Sequence, residues 1–182
     1  MVKKPTVYQI TIIGLMAAVL CILGPLAIPV GLVPVSFTNL AIFFTIYILG
    51  TKKAVMSLLI YLLIGLAGAP VFSGFSGGAS KILGPTGGYI IGFIFMTLIS
   101  GVFIDRFINR WYICVLGMIL GTIVCYAFGT IWLSYQADMA VFAAIGVGVV
   151  PFIPGDIIKI LFIAITGPKI RKRLIRSNLF IN

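Results

Sequence analysis

The chain has 182 residues, of which 62% are hydrophobic and only 9% are charged, and its formal net charge is +10. A soluble domain of this composition could not cover its surface with polar groups, so the composition excludes a soluble globular protein. The basic residues cluster at the ends of apolar runs, which argues against nucleic-acid binding and for membrane anchoring. We therefore expect one integral membrane domain over residues 1–182, with no separate soluble domain.

Six apolar segments are predicted to be membrane-spanning helices. In chain order they are Val7–Gly24, Val35–Gly50, Ala54–Gly68, Gly87–Ile104, Trp111–Ser134 and Pro154–Gly167. A further stretch, Met139–Val150, is apolar but short and glycine-rich, and it is predicted to be an interfacial or re-entrant piece. The predicted fold class is an all-α integral membrane protein with six transmembrane helices.

Positive charge orients these helices. Basic residues flank the segments in four clusters, which are Lys3 and Lys4; Lys52 and Lys53; Arg106 and Arg110; and Lys169, Arg171, Lys172, Arg173 and Arg176. All four clusters fall on one side if the chain crosses six times with its N- and C-termini in the cytoplasm. The opposite side then keeps only Lys81 and Asp138.

The third segment is short for a membrane helix. Ala54–Gly68 spans about 22 Å, against a hydrocarbon core of about 30 Å. It is followed by Ala69–Pro85, which is rich in glycine, serine and proline and is predicted to be an irregular outer loop between helices 3 and 4. Irregular backbone at membrane depth is tolerated only where protein buries it or it lines a cavity. An outward-facing cavity is therefore expected, with this loop as part of its wall or lid.

Three polar residues lie at similar depth when counted from the inner basic clusters. Asn39 and Asp156 are about 20 Å from those clusters and Tyr89 about 25 Å. A carboxylate inside a bilayer costs several kcal/mol unless it faces a polar cavity and has a partner, so Asp156 is a candidate site residue. Lys159 follows three positions later on the same helix face. Aromatic residues surround these positions in the sequence, as is usual for a small organic ligand.

Each of these residues also has a structural interpretation. Asp156 and Lys159 can simply neutralise each other, and a carboxylate just after Pro154 also favours the start of a helix. Asn39 can be a helix cap, Tyr89 an aromatic-belt residue and Lys81 a solvated loop charge. These alternatives stay open from the sequence alone.

The residues that are missing exclude several chemistries. The chain has no histidine, and its three acidic residues are aspartates far apart in the sequence. No serine or cysteine has a recognisable base beside it, so an enzyme is not expected. Cys21, Cys114 and Cys125 lack metal-ligand spacing, so neither a metal site nor a cofactor is predicted. No phosphate-binding loop is present, so the chain is not expected to use ATP by itself.

Three sequence blocks resemble the BioY family, the biotin-binding S components of energy-coupling factor (ECF) transporters. They are Gly-Ala-Pro-Val-Phe at 68–72, Gly-Pro-Thr-Gly-Gly-Tyr-Ile-Ile-Gly-Phe at 84–93 and Pro-Phe-Ile-Pro-Gly-Asp-Ile-Ile-Lys at 151–159. The three blocks occur in the same order as in the family, and the resemblance covers the whole chain. It implies biotin uptake across a prokaryotic plasma membrane by a six-helix bundle. It also implies a transmembrane coupling protein and two cytoplasmic ATPases as partners.

The resemblance also implies how biotin is held. Asp156 would accept the ureido N–H groups, and Lys159 would serve either the ureido oxygen or the ligand carboxylate. One departure from the family is Thr38, which stands where a glutamine is often found, and Asn39 is the candidate substitute. The expected substrate-binding residues are Asp156, Lys159, Tyr89, Asn39, Lys81 and Ser36. The alternatives are an S component for another small vitamin, or a secondary carrier that works alone.

Small residues on the first helix form a candidate docking face. Gly14 and Ala18 are four residues apart, and Ala17 and Cys21 repeat the pattern on the adjoining row. Such spacing lets helix backbones approach closely in a membrane, either within the bundle or against a partner. The resemblance favours docking on the coupling protein through Gly14, Ala17 and Ala18. The same spacing in Gly88/Gly92 and Gly117/Gly121 is expected to serve internal packing.

Overall fold

The structure, a computed structural model, describes residues 6–29 and 33–177. Lys3 and Lys4, the first of the four basic clusters, lie outside these ranges. Within these ranges the chain forms eight α-helices and a short antiparallel pair of strands. The helices are α1 Val7–Leu23, α2 Thr38–Leu49, α3 Thr51–Leu66, α4 Ala79–Leu83, α5 Gly87–Phe107, α6 Trp111–Gln136, α7 Val141–Gly148 and α8 Ile153–Arg176. The strands are β1 Ala27–Ile28 and β2 Val35–Ser36, and a 3-10 turn, Val150–Phe152, joins α7 to α8.

Each of the six predicted segments overlaps one helix, namely α1, α2, α3, α5, α6 and α8. The last helix, α8, continues to Arg176, well beyond the predicted end at Gly167, so it contains the basic residues that were predicted to follow it. In the described part of the chain, three stretches are long and apolar enough to cross a bilayer, and these are α5, α6 and the run Val141–Arg176 that contains α7 and α8. The helices α1 and α2 are apolar but shorter, with 17 and 12 residues.

The boundaries around the second helix differ from the prediction. The helix begins at Thr38 rather than Val35, because Val35 and Ser36 pair with β1. It ends at Gly50, whose φ of 74° is readily adopted only by glycine and lets α3 start at the next residue. Lys52 and Lys53 consequently lie in the first turn of α3 and not in a connecting loop.

The hairpin of α5 and α6 depends on glycines at the contact. A Cβ added to Gly88 would collide with Trp132, and one added to Gly117 would collide with Phe103. A Cβ added to Gly92 would come within 3.0 Å of Cys125, and one added to Gly121 would collide with Ser100. The prediction that both glycine pairs serve internal packing is confirmed.

The loop after α3 is only partly irregular, because it contains the five-residue helix α4, which the sequence did not predict. Its first part packs onto the bundle through Phe72, which is 2% exposed and lies edge-on to Tyr61 with ring centroids 5.6 Å apart. Backbone hydrogen bonds tie the same part down, from Gly74 to the carbonyl of Pro25 and from Gly78 to that of Gly65. The loop is therefore a fixed wall over the ends of α1 and α3.

A polar cluster joins three helices at the other end of the molecule. Asp105 of α5 accepts hydrogen bonds from the backbone N–H and the hydroxyl of Thr51, at 2.9 and 2.6 Å. Its other oxygen lies 2.7 Å from Nη1 of Arg171 in α8. The sequence predicts Arg171 to be one of the basic residues that anchor the sixth segment at the membrane surface. Arg171 instead turns inward and is 6% exposed.

We expect the change Asp105→Asn to lower the thermal stability of the purified protein. It leaves the Arg171 guanidinium buried without its carboxylate, which costs about 3–5 kcal/mol for fully buried pairs. Because the Asp105 side chain is 35% exposed, we discount the expected loss to about 1–2 kcal/mol. Asp138→Asn is the matched control, since Asp138 is exposed. Equal melting temperatures for both variants in one detergent would contradict the cluster's contribution.

Candidate functional site

The first two turns of α8 carry a buried ion pair. Asp156 is 4% exposed and Lys159 is 9% exposed, and Nζ of the lysine lies 2.9 Å from Oδ1 of the aspartate. The sequence places both on one face because they are three residues apart. Pro154, near the start of α8, is compatible with a helix N-terminus, where a carboxylate is favoured by the helix dipole.

Two further side chains donate to the same carboxylate. Oδ2 of Asp156 accepts a hydrogen bond of 2.9 Å from the Asn39 amide and one of 2.6 Å from the Tyr126 hydroxyl. The donors thus come from α2, α6 and α8, and hydrogen bonds to an ionised carboxylate are about twice as strong as neutral ones. A carboxylate offers about four acceptor sites, so these three contacts leave it with residual capacity.

Lys159 is held by a backbone oxygen as well as by Asp156. Nζ donates a 2.7 Å hydrogen bond to the carbonyl of Ser36 in β2, and it lies 5.8 Å from the centre of the Phe37 ring. These two hydrogen bonds use two of the three N–H donors of the ammonium group. The strand pair thus helps to fix the lysine beside the carboxylate.

A cavity adjoins the ion pair. The space between its lining residues, including its open mouth, is about 510 Å³. Asp156 and Lys159 are part of its lining, and most of the remaining wall is aromatic or aliphatic. The lining residues are Val33, Pro34, Ser36, Thr38, Asn39, Tyr61, Phe72, Ser73, Thr86, Tyr89, Ile90, Phe93, Phe152, Asp156 and Lys159. A few convergent polar groups in an apolar cavity suit a small organic ligand with polar handles.

Tyr89 lines the cavity and also supports the entry into α8. Its hydroxyl donates a 2.8 Å hydrogen bond to the carbonyl of Gly148, at the end of α7. Its ring stacks on Phe152 with centroids 6.4 Å apart and leaves no room for a side chain at Gly129. The hydroxyl hydrogen is therefore engaged with the backbone, while the oxygen can still accept a hydrogen bond.

The structure brings together five of the six predicted binding residues, since Asp156, Lys159, Asn39, Tyr89 and Ser36 all line the cavity. Lys81 is the exception. It lies on α4, which was predicted to be irregular loop, and it does not reach the lining. Partial burial there lowers the pKa of its ammonium group.

Tyr126 is the main residue that sequence reasoning missed. It is sixteen residues from Arg110, or about 24 Å along a helix, which is close to the depth counted for Tyr89. The same depth count would have found it. Thr38, which stands in place of the expected glutamine, is buried in the lining, and its hydroxyl oxygen accepts a 2.9 Å hydrogen bond from Ser36.

The candidate docking residues on α1 face two directions. Gly14 and Ala18 are exposed, and a Cβ added to Gly14 would meet no atom within 4 Å. Ala17 is 2% exposed and packs inside the bundle. We therefore remove Ala17 from the docking face, because one position of helical rotation turns it away from Gly14 and Ala18.

Comparisons with known proteins agree on one family. The family model described as BioY family matches residues 1–176. The biotin transporter BioY2 of Lactococcus lactis subsp. cremoris is 34% identical over 180 residues, which is 97% of each chain. The biotin transporter BioY of Thermotoga maritima is 32% identical, over 87% of this chain and 93% of that protein. A solved S component for biotin from an ECF-type ABC transporter has a TM-score of 0.85 at 33% identity, covering 94% of this chain and 95% of its own.

We expect the change Tyr126→Phe to destabilise the protein in the absence of any ligand. It removes one hydrogen bond to a buried carboxylate, and such bonds contribute about 1.5–3 kcal/mol. Tyr135→Phe on the same helix is the control, because Tyr135 is 84% exposed. Thermal melts of both variants in the same detergent check this, and a Tyr126→Phe melt that matches the parent protein would show that the bond contributes nothing.

Proposed function

The chain belongs to the BioY family, and from that premise we propose that it binds biotin with high affinity as the substrate-specific membrane subunit of an ATP-driven ECF-type transporter. Proteins of this kind are transporter components and not enzymes. The observation that carries the proposal is the buried Asp156–Lys159 pair in the wall of a cavity that is otherwise lined mostly by aromatic and aliphatic residues.

Biotin has the complementary chemistry. Its ureido ring carries two N–H donors and one carbonyl acceptor on an apolar bicycle, and its valerate tail ends in a carboxylate. An ureido N–H can use the residual acceptor capacity of Asp156, or replace Asn39 or Tyr126 as a donor to it. The aromatic lining, including Phe93 and Phe152, would then surround the bicycle.

The position of Lys159 favours the ureido oxygen over the ligand carboxylate. The ureido carbonyl lies between the two N–H groups, so an N–H on Asp156 brings this oxygen next to Nζ, which is 2.9 Å from that same carboxylate. The ammonium also has a third N–H to donate. A ligand carboxylate at the same place would instead put a second negative charge beside Asp156, which is unfavourable in a buried site.

The proposed partners are a transmembrane coupling protein and two cytoplasmic ATPases. The absence of a phosphate-binding loop in the sequence fits a subunit that depends on a separate ATPase. Gly14 and Ala18 supply an exposed small-residue face on α1 for the coupling protein, and close helix approach at such faces drives association in membranes.

For the topology we propose six spans, namely α1, α2, α3, α5, α6 and α8, with both termini in the cytoplasm of a prokaryotic cell. This arrangement places the basic clusters on the inner side, as the positive-inside rule requires. The described clusters at Arg106, Arg110 and the end of α8 lie at the same end as the Asp105–Arg171 pair. The ligand cavity then opens toward the outside.

We expect Asp156→Asn to weaken biotin binding strongly, at least about tenfold, because an amide cannot accept charge-assisted hydrogen bonds of about 1.5–3 kcal/mol each. Lys159→Ala should weaken it as well, because it removes a donor and leaves the carboxylate without its cation. Titration of the purified variants with biotin measures both. The exposed Asp138→Asn serves as control, and unchanged affinity in a folded Asp156→Asn protein would make Asp156 a purely structural residue.

We expect Gly14→Trp and Ala18→Trp to block assembly with the coupling protein and abolish uptake, while the isolated chain still binds biotin. The bulky ring would hold the two helix backbones apart. Val102→Trp, at an exposed position of α5, is the control for a tryptophan on the membrane surface. Pull-down and biotin titration are done on the same preparations. Normal assembly of both α1 variants would exclude this face as the docking surface.

In a variant without Cys21, Cys114 and Cys125, single cysteines at Ser80 and Asn109 should react from opposite sides of the membrane, Ser80→Cys from outside and Asn109→Cys from inside. Both side chains are exposed, and both residues flank α5, which is one proposed span. Ser80 is preferred to Gly78 because the φ of 84° at Gly78 would strain a cysteine. Labelling of intact cells with an impermeant maleimide measures this, and reaction of the two sites from one side would refute the topology.

A further inference from the structure

The last two turns of α8 carry an exposed row of cations. Lys169, Lys172, Arg173 and Arg176 are all exposed, and we call these four residues the basic stripe. Their spacing of three, one and three residues places them on one side of an α-helix. Arg171, in the same segment, points the opposite way and is buried against Asp105, which fixes the rotation of the helix and keeps the basic stripe outward.

No aspartate is available to neutralise the basic stripe. All three acidic residues of the chain lie in the part that the structure describes. Asp105 is engaged by Thr51 and Arg171, and Asp156 is buried with Lys159. Asp138 follows α6 at the opposite end of the α5–α6 hairpin. No acidic side chain of the described residues therefore pairs with the basic stripe.

The basic stripe continues the apolar outer face of α8. Toward the start of the helix the same side presents exposed apolar side chains, which are Ile158, Leu161, Phe162 and Ile165, each 51–68% exposed. In a membrane this side faces lipid acyl chains. Lys169 and Lys172 lie only about 6 and 10 Å further along the helix axis than Ile165. That is the distance over which a lipid passes from acyl chain to headgroup.

Exposed aromatic residues lie at the same end of the bundle, at the start of α6. Trp111 and Tyr112, at the start of α6, are 62% and 56% exposed, and such residues are enriched at the membrane–water interface. They follow the α5–α6 turn, close in sequence to Asp105, and thus belong to the end of the bundle that holds the basic stripe.

We propose that the basic stripe is a binding site for the headgroups of anionic phospholipids. The lysines can extend their stems along the apolar face and place the ammonium groups at the phosphates, and the arginines can hold phosphate oxygens with two N–H groups. Clusters of Lys and Arg next to a membrane helix attract anionic lipids electrostatically. A lipid is favoured over an acidic protein because the stripe is continuous with the surface that acyl chains cover.

The test is native mass spectrometry of the full chain, purified in detergent and titrated with phosphatidylglycerol or with phosphatidylcholine of the same acyl chains. The variant Lys169→Gln/Arg173→Gln/Arg176→Gln removes three charges of the stripe. Its matched control, Lys52→Gln/Arg106→Gln/Arg110→Gln, removes the same residue types from exposed positions elsewhere among the basic clusters. We expect the stripe variant to lose phosphatidylglycerol affinity at least about tenfold, and the control to change less than about threefold.

Three results would overturn the proposal. The first is equal affinity of the unmodified chain for the two lipids, and the second is an equal loss in both variants. The third is a stripe variant that keeps its preference for phosphatidylglycerol but no longer pulls down protein partners. That result would make the stripe a docking surface for an acidic protein. Because a variant can misfold, a further measurement uses only the unmodified chain. The lipid preference of the unmodified chain should fall as salt rises, since salt screens exposed charges, and a salt-independent preference would also contradict the proposal.

Discussion

The rest of the structure depends on the need to satisfy one buried carboxylate. An uncompensated charge at the depth of Asp156 would cost several kcal/mol, and here three donors from α2, α6 and α8 supply the compensation. Because the donors come from different helices, the same hydrogen bonds that make the charge tolerable also fix where those helices stand. The candidate site and the packing of the bundle therefore rest on the same hydrogen bonds. Removing one of these polar residues would also loosen the packing of the helices.

The helix α8 is held by charge at both of its ends. Asp156 and Lys159 anchor its N-terminal end to α2, α6 and the strand pair, and Arg171 anchors its C-terminal end to Asp105. Between these anchors the helix contributes apolar contacts through Ile160 and Ile163, which have no directional preference. Two separated polar anchors fix the rotation and the axial position of the helix. This fixed rotation keeps Asp156 and Lys159 directed into the bundle and the exposed cations at the C-terminal end of the helix directed outward.

The sequence predicts the helices well, because long apolar runs and flanking cations are local features. It also predicts that Asn39, Asp156 and Lys159 lie close together, because a polar residue deep in an apolar run costs free energy unless it has a polar partner. It does not predict that Asp105 pairs with Arg171, since nothing local distinguishes that partner from the adjacent Arg106. It does not separate Ala17 from Ala18 either, because a small-residue pattern does not determine which side of the helix faces the bundle. Tyr126 was overlooked because a tyrosine in an apolar run is compatible with core packing, and only its hydroxyl makes it a polar partner.

A carboxylate that is already satisfied by the protein changes what a ligand must do. Biotin does not have to neutralise a bare charge. On the proposed function, it uses the remaining acceptor capacity of Asp156 or replaces the N–H of Asn39 or the O–H of Tyr126, and it therefore needs donors of its own in the matching place. An analogue with both ureido nitrogens methylated has no such donor and would displace protein donors without restoring the lost bonds. Sites built around a hydrogen bond reject ligands that lack the matching group far more strongly than apolar walls reject a change of size. On the proposed function, selectivity thus follows from the same donors that stabilise the empty site.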